Sequence, residues 1–191
     1  MSKVILIDSG HGFMIDGVYQ THGKRSPVWQ DGTQLFEGEF NKQIKARLME
    51  MLQRDGIPFV DINPESIDVP LSLRVNRANE YENSLYISLH ANAGGGTGCE
   101  IFTSVNCSDA STNMAEYMAG GYHYHFPEER WRGIKKRDFY VVKNTNMPAI
   151  LIESFFMDNE EECKKYLMTS SGRDRIAAWI YTSLINYLKS L

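Results

Sequence analysis

Apolar positions along the chain fall into two kinds of run. Unalternated β-rich runs occur at 4–8 (VILID, stopped by Ser9-Gly10), 57–62, 85–89 (LYISL, running into His90) and 149–156 (AILIESFF, after Met147-Pro148). Runs of this length bounded by breakers read as buried strands. Shorter strands are predicted at 100–104 and 139–142. Elsewhere the period changes to that of a helix. Phe40, Ile44, Leu48 and Leu52 stand four apart, which predicts an amphipathic helix ending near Arg54, before Asp55-Gly56. Ile176, Ile180, Leu184 and Leu188 predict another over 173–188. Further helices are read at 70–82, at 110–118 with Met114 and Met118 on its core face, and up to Leu167 from a cap at Asp158 or Asn159. The polar stretch 12–36, with Gly17, Gly23 and Gly32, reads as a long loop, a kind that is often functional. Gly94-Gly95-Gly96 reads as a flexible turn.

Strands alternating with helices predict an α/β fold. We expect one domain over 1–191, with a twisted, mostly parallel sheet of about six strands and helices on both faces. Ligands of such folds bind at the carboxyl ends of strands, where His11, His90 and Glu153 lie at or near strand ends. Composition narrows the class. The 191 residues are 42% apolar and 23% charged, which excludes a coiled coil or a disordered tail. A net charge of −4 argues against a dedicated nucleic-acid binder. Cys99, Cys107 and Cys163 are odd in number and lack CxxC spacing, so neither a disulfide framework nor a cysteine-rich zinc finger is expected. The short N-terminal apolar run is no signal peptide, and no run has the length of a membrane span. The expectation is a soluble chain made in the cytoplasm, a monomer.

Two imidazoles, His11 and His90, with one carboxylate, Glu37 or Glu153, form a ligand set for catalytic Zn²⁺ that leaves a fourth position open, and a further carboxylate beside it can act as general base. Glu153 stands amid Ile150, Leu151, Ile152 and Phe155. An unpaired carboxylate there needs a metal, a cation or a raised pKa, the last being the property of a general base. Each group also has a plainer reading: a histidine at a strand end is a packing group, and Glu37 is an acid favoured by a helix dipole. A thiol route through Cys99 and His90 is the non-metal rival, although Cys99 starts a strand and has no helix N-terminus to lower its pKa. His123 and His125 sit in what reads as a polar, aromatic loop (GGYHYHFPEERW), as a second metal pair or a cleft rim. Tyr122, Tyr124, Phe126 and Trp131 could stack on a ligand there. Lys135-Lys136-Arg137 reads as a solvated run that could also meet a polyanion.

Several motifs, in order, cover nearly the whole chain: Asp8-Ser9-Gly10-His11-Gly12, Glu37-Gly38-Glu39-Phe40-Asn41, Arg74 with Ala78-Asn79, Ser88-Leu89-His90-Ala91-Asn92-Ala93, Gly98-Cys99-Glu100, Arg132-Gly133-Ile134-Lys135, and the stretch from Met147 to Asn159 around Glu153. In this the chain resembles the zinc-dependent N-acetylmuramoyl-L-alanine amidases of the Amidase_3 family, found in bacterial wall remodelling and in phage endolysins. The resemblance implies one Zn²⁺ per chain held by His11, Glu37 and His90, with Glu153 as the catalytic glutamate. It implies hydrolysis of the amide between the muramic acid lactyl group and L-alanine of peptidoglycan, and release to the wall during lysis if the chain is an endolysin. Three departures bear on substrate detail: Ser9 for Pro, Phe13 for a second Gly, and Ser154-Phe155 where the family has a small residue and Gly. No counterpart of the family's inhibitory mid-chain insertion is evident, so constitutive activity is expected. A wall-binding module without catalysis and a zinc peptidase cutting within the stem peptide are the alternative readings.

Overall fold

The computed structural model describes residues 3–191. Six strands form the main sheet: β1 (Val4–Ser9), β4 (Phe59–Asp61), β5 (Ser84–Asn92), β6 (Cys99–Thr103), β7 (Trp131–Lys136) and β8 (Ala149–Phe156). Their order is β4-β1-β5-β8-β6-β7, and a two-stranded ribbon of β2 (Met14–Ile15) and β3 (Val18–Tyr19) stands apart. Every pairing in the main sheet is parallel except β6 with β8. The central strands β1, β5 and β8 carry apolar residues on both faces because both faces are covered. On one side, Ile5, Ile7, Ile87 and Ile152 pack against α1 (Glu37–Arg54), α3 (Asp109–His125) and α6 (Ser170–Lys189). On the other, Leu6, Tyr86 and Leu151 meet α2 (Leu71–Ala78) and α4 (Tyr140–Asn144) through Val75, Ala78, Val141 and Val142. The α/β architecture with helices on both faces is therefore as expected, and Met114 and Met118 are fully buried core residues.

Three boundaries differ from the sequence reading. Residues 139–142 are not a strand. Phe139 caps α4, and its ring meets Phe102 edge-on at 4.9 Å while Val141 and Val142 fill the second core. The strand lies earlier, in WRGIKK. It is a half-exposed edge strand, and edge strands carry charge rather than a continuous apolar run. The segment holding His123 and His125 is the end of α3, not a loop. Helix α1 starts at Glu37, ahead of Phe40, where the predicted helical period begins. Of the two expected caps for the segment after β8, Asn159 is the one used, accepting from the Glu162 amide at 3.1 Å. That segment is α5 (Glu160–Glu162), which continues as one wide turn over Cys163–Leu167.

The connectivity fixes where a ligand can go. From β1 the chain passes through α1 to β4 on one side of β1. It then returns through α2 to β5 on the other side. The crevice beyond the carboxyl ends of β1 and β5 is thus a topological switch point.

Candidate metal centre

His11 follows β1 in that crevice, and His90 lies near the end of β5. His11 takes a φ of 68°, a left-handed conformation that non-glycine residues adopt rarely and that tends to mark functional sites. Glu37 reaches them from the first turn of α1. The cap residue of α1, Phe36, offers no side-chain acceptor. The long loop supplies acceptors instead: Glu37 N donates to the Lys24 carbonyl at 2.9 Å, and Gly38 N to the Tyr19 hydroxyl at 2.8 Å. The loop predicted to be functional therefore anchors the helix that delivers Glu37. Two glycines permit the approach. A Cβ on Gly10 would stand 2.0 Å from Cε1 of His90, and one on Gly38 would stand 1.7 Å from the Gly12 carbonyl oxygen.

One ligand atom from each of His11, Glu37 and His90 lies within 4.8 Å of the others, the one such group of three among the described residues. Glu37 Oε1 is 3.0 Å from His90 Nδ1 and 3.2 Å from His11 Nε2. The two rings meet edge to face with centroids 5.0 Å apart. Glu37 is buried, and burial raises its carboxyl pKa, but the contacts with His11 and His90 outweigh this and hold it well below the usual carboxylate range. Burial lowers the His90 pKa, and the Glu37 hydrogen bond with the charges of Glu153 and Glu37 reverses this into a net rise. Two potential ligand atoms remain unpartnered: Glu37 Oε2 and His11 Nε2 are buried without a hydrogen-bond partner, the latter lying near Glu37 without hydrogen-bond geometry. Bond lengths of ~2.0–2.1 Å at a tetrahedral Zn²⁺ place neighbouring donors about 3.3 Å apart. The two separations from Glu37 Oε1 fit that spacing, and the donor types fit zinc.

Glu153 pairs across the sheet with His90 on one side and Glu100 on the other. Its Oε2 is buried without a hydrogen-bond partner. Burial pushes its carboxyl up to about 7, against the opposing pull of the His90 charge. A group poised there can both accept and return a proton near neutral pH.

Beneath the crevice lies a buried polar cluster. Asp8 accepts from Tyr86 Oη at 2.9 Å, Ser88 Oγ at 2.8 Å and Arg74 Nη1 at 3.0 Å. Arg74 Nη2 donates at 2.8 Å to Asp68, whose other oxygen accepts from Thr21 and lies 4.0 Å from His11 Nδ1. Arg74 and Asp8 are both essentially inaccessible. Arg74→Met is therefore expected to leave Asp8 as an unpaired buried charge and to cost about 3–5 kcal/mol. The denaturant midpoint measures this, and a loss below about 1 kcal/mol would contradict it.

The rival chemistries do not assemble. Cys99 is fully buried, burial drives its thiol well above the ordinary value, and its sulfur accepts from the Phe155 amide at 3.3 Å. His123 and His125 stand two apart on a helix and so diverge, and His125 Nε2 pairs with Thr182 Oγ1 at 3.0 Å. Tyr122 and Phe126 are core rings packed on Trp179 rather than a stacking platform. Phe155 adopts φ 55°, the conformation glycine takes without cost, and its buried ring stacks on Tyr166 at 4.2 Å. Ring packing thus offsets backbone strain at this departure. Sequence reasoning did not single out Tyr19, Thr21 and Asp68 as site supports. Their partners lie far away in the chain, and no local pattern marks them.

A family profile described as N-acetylmuramoyl-L-alanine amidase matches residues 5–186. The chain is 28% identical over 193 residues to N-acetylmuramoyl-L-alanine amidase LytC of Bacillus subtilis, covering 99% of this chain and 36% of that protein. It is 29% identical over 167 residues to the endolysin of Bacillus phage SPP1, covering 85% of this chain and 58% of that protein. It therefore spans only part of the curated relatives it matches. Among solved structures, an N-acetylmuramoyl-L-alanine amidase from Clostridium difficile 630 superposes with a TM-score of 0.86 at 27% identity, covering 99% of this chain and 98% of that one.

Proposed function

The chain belongs to the N-acetylmuramoyl-L-alanine amidase family, and from that premise we propose that it is a zinc amidase cleaving the bond between N-acetylmuramic acid and L-alanine in peptidoglycan. The observation that carries the reading is the convergence of His11, Glu37 and His90 on one point, with unpartnered buried ligand atoms, beside Glu153. His11, Glu37 and His90 would hold one Zn²⁺, and Glu153 would transfer the protons. When bound, zinc supplies a Lewis acid that polarises the amide carbonyl and acidifies the attacking water.

The chain's own residues do the rest. Glu153 takes the proton of the attacking water. As the C–N bond breaks, it delivers that proton to the alanine nitrogen, so the amine leaves neutral. Its pKa of about 7 suits both halves of that exchange. Gly10 and the buried Asp8 cluster hold the histidine-bearing strand ends in place. The proposed catalytic domain acts at the cell wall. Among the described residues, no helix is long and apolar enough to cross a membrane.

Chelation tests the reading. A chelator is expected to abolish clearing of purified peptidoglycan, and one equivalent of zinc to restore it; clearing that survives exhaustive chelation contradicts the metal role. Gly10→Ala supplies a second test, because its methyl would collide with the His90 ring. Displacing a ligand's support costs about 10–100-fold in metal affinity. A competition titration with a zinc chelator is expected to show a loss of that size, and unchanged affinity would show that the His90 ring position does not matter.

A further inference from the structure

We propose that Arg132 and Lys135 form an anion subsite next to Glu153, which receives a carboxylate carried by the departing peptide on the residue after its alanine. The inference rests on the amidase reading above and adds a substrate determinant to it.

The observation is a bulge. In the β6–β7 pairing Cys99 is opposite Trp131 and Ile101 is opposite Ile134, so two steps on β6 span three on β7. The extra residue is absorbed at Gly133, with φ 96°. Residues three apart on a regular strand face opposite sides. Here Arg132 and Lys135 instead meet the same oxygen, Glu100 Oε2, with Arg132 Nε at 2.7 Å and Lys135 Nζ in close contact. Glu100 Oε1 accepts from Asn92 at 2.7 Å. One largely buried carboxylate thus faces two cations, and the group keeps a surplus positive charge. The cations are not sealed in: the side chains of Arg132 and Lys135 are 22% and 40% exposed. The Arg132 guanidinium is steadied over the Phe156 ring at 4.9 Å. Neutralising Glu100 requires one cation, so the second, aimed by a bulge, has an unassigned role.

Position indicates what that role is. His90, Glu153 and Glu100 are Cα partners in successive strands, so the proposed ligand, the proton carrier and the cation pair stand in one row. The alanine nitrogen must lie by Glu153 to receive its proton. A peptide leaving that point away from His90 passes over Glu100. Strands are ~4.8 Å apart, and an extended peptide advances ~3.4 Å per residue. Extended that way, a carboxylate on the residue after alanine lies about one strand spacing from Glu153, where the Arg132 and Lys135 side chains reach in to Glu100.

The test is calorimetric binding of L-alanyl-D-glutamate and of the same dipeptide with both carboxylates as amides, using the zinc-loaded protein. The wild-type chain is expected to bind the acid about tenfold more tightly than the diamide. Lys135→Gln and Arg132→Gln are each expected to reduce that preference to within about threefold, and Lys135→Arg to retain it. Lys135→Gln keeps the Arg132–Glu100 pair, so its unfolding midpoint and zinc content should match wild type. Equal affinity of wild type for acid and diamide, binding of neither, or an undiminished preference in Lys135→Gln overturns the subsite. Peptidoglycan cleavage is measured separately. A refuted subsite in a protein that still releases alanine amines leaves the amidase reading standing, whereas acid preference without such cleavage refutes only the latter.

Discussion

Glu153→Gln is expected to keep about one equivalent of zinc and to lose turnover by about 10²–10⁴-fold, the range associated with a positioned general acid–base. The substitution preserves volume in a strand whose neighbours are closely packed, and it removes only the capacity to take a proton. Because Glu153 Oε2 has no hydrogen-bond partner, no side-chain network is broken. The amide nitrogen would itself be left without an acceptor, a cost of about 1–3 kcal/mol that unfolding measurements can separate from catalysis. kcat and kcat/KM are expected to fall together, since a proton in transit is a feature of the transition state rather than of substrate binding. A variant within tenfold of wild type would remove Glu153 from the chemistry.

His90→Ala is expected to have the other large effect, on the metal itself. It removes one of the three proposed donors and the ring that rests against Gly10. It also removes a contact that holds the Glu37 carboxyl down, leaving a buried carboxylate with His11 as its remaining imidazole partner. Loss of an outer hydrogen-bond partner costs 10–100-fold in metal affinity, so loss of a ligand should cost more than about 100-fold. After dialysis the variant is expected to hold less than about a tenth of an equivalent of zinc and to be inactive, and His11→Ala likewise. Metal analysis checks this directly, and a full equivalent in either variant would exclude that histidine from the ligand set.

Legibility in the sequence followed burial. The three central strands were readable because both faces are buried, and the predicted bounds 149–156 coincide with β8. Strand β7 was hidden because an edge strand rich in Arg and Lys does not look apolar. Gly120-Gly121 read as a loop signal, yet Gly121 is helical. A Cβ there would stand 2.0 Å from Ser183 Oγ, so this glycine serves the close approach of α3 to α6. The candidate site was legible as a residue set through ordered motifs, with spacing alone leaving packing readings open. Its supports were not. Thr21 and Asp68 are 47 residues apart, and the bulge that turns Arg132 and Lys135 onto Glu100 depends on strand register, which appears only once the sheet is formed.

The most direct test is product analysis by mass spectrometry. Purified peptidoglycan would be digested with metal-stripped protein and with the same protein given one equivalent of zinc. Stem peptides bearing a free N-terminal alanine, with intact lactyl groups on the glycan, are expected from the zinc-loaded protein alone. The same products from the stripped protein, or cuts between stem-peptide residues, would contradict the account.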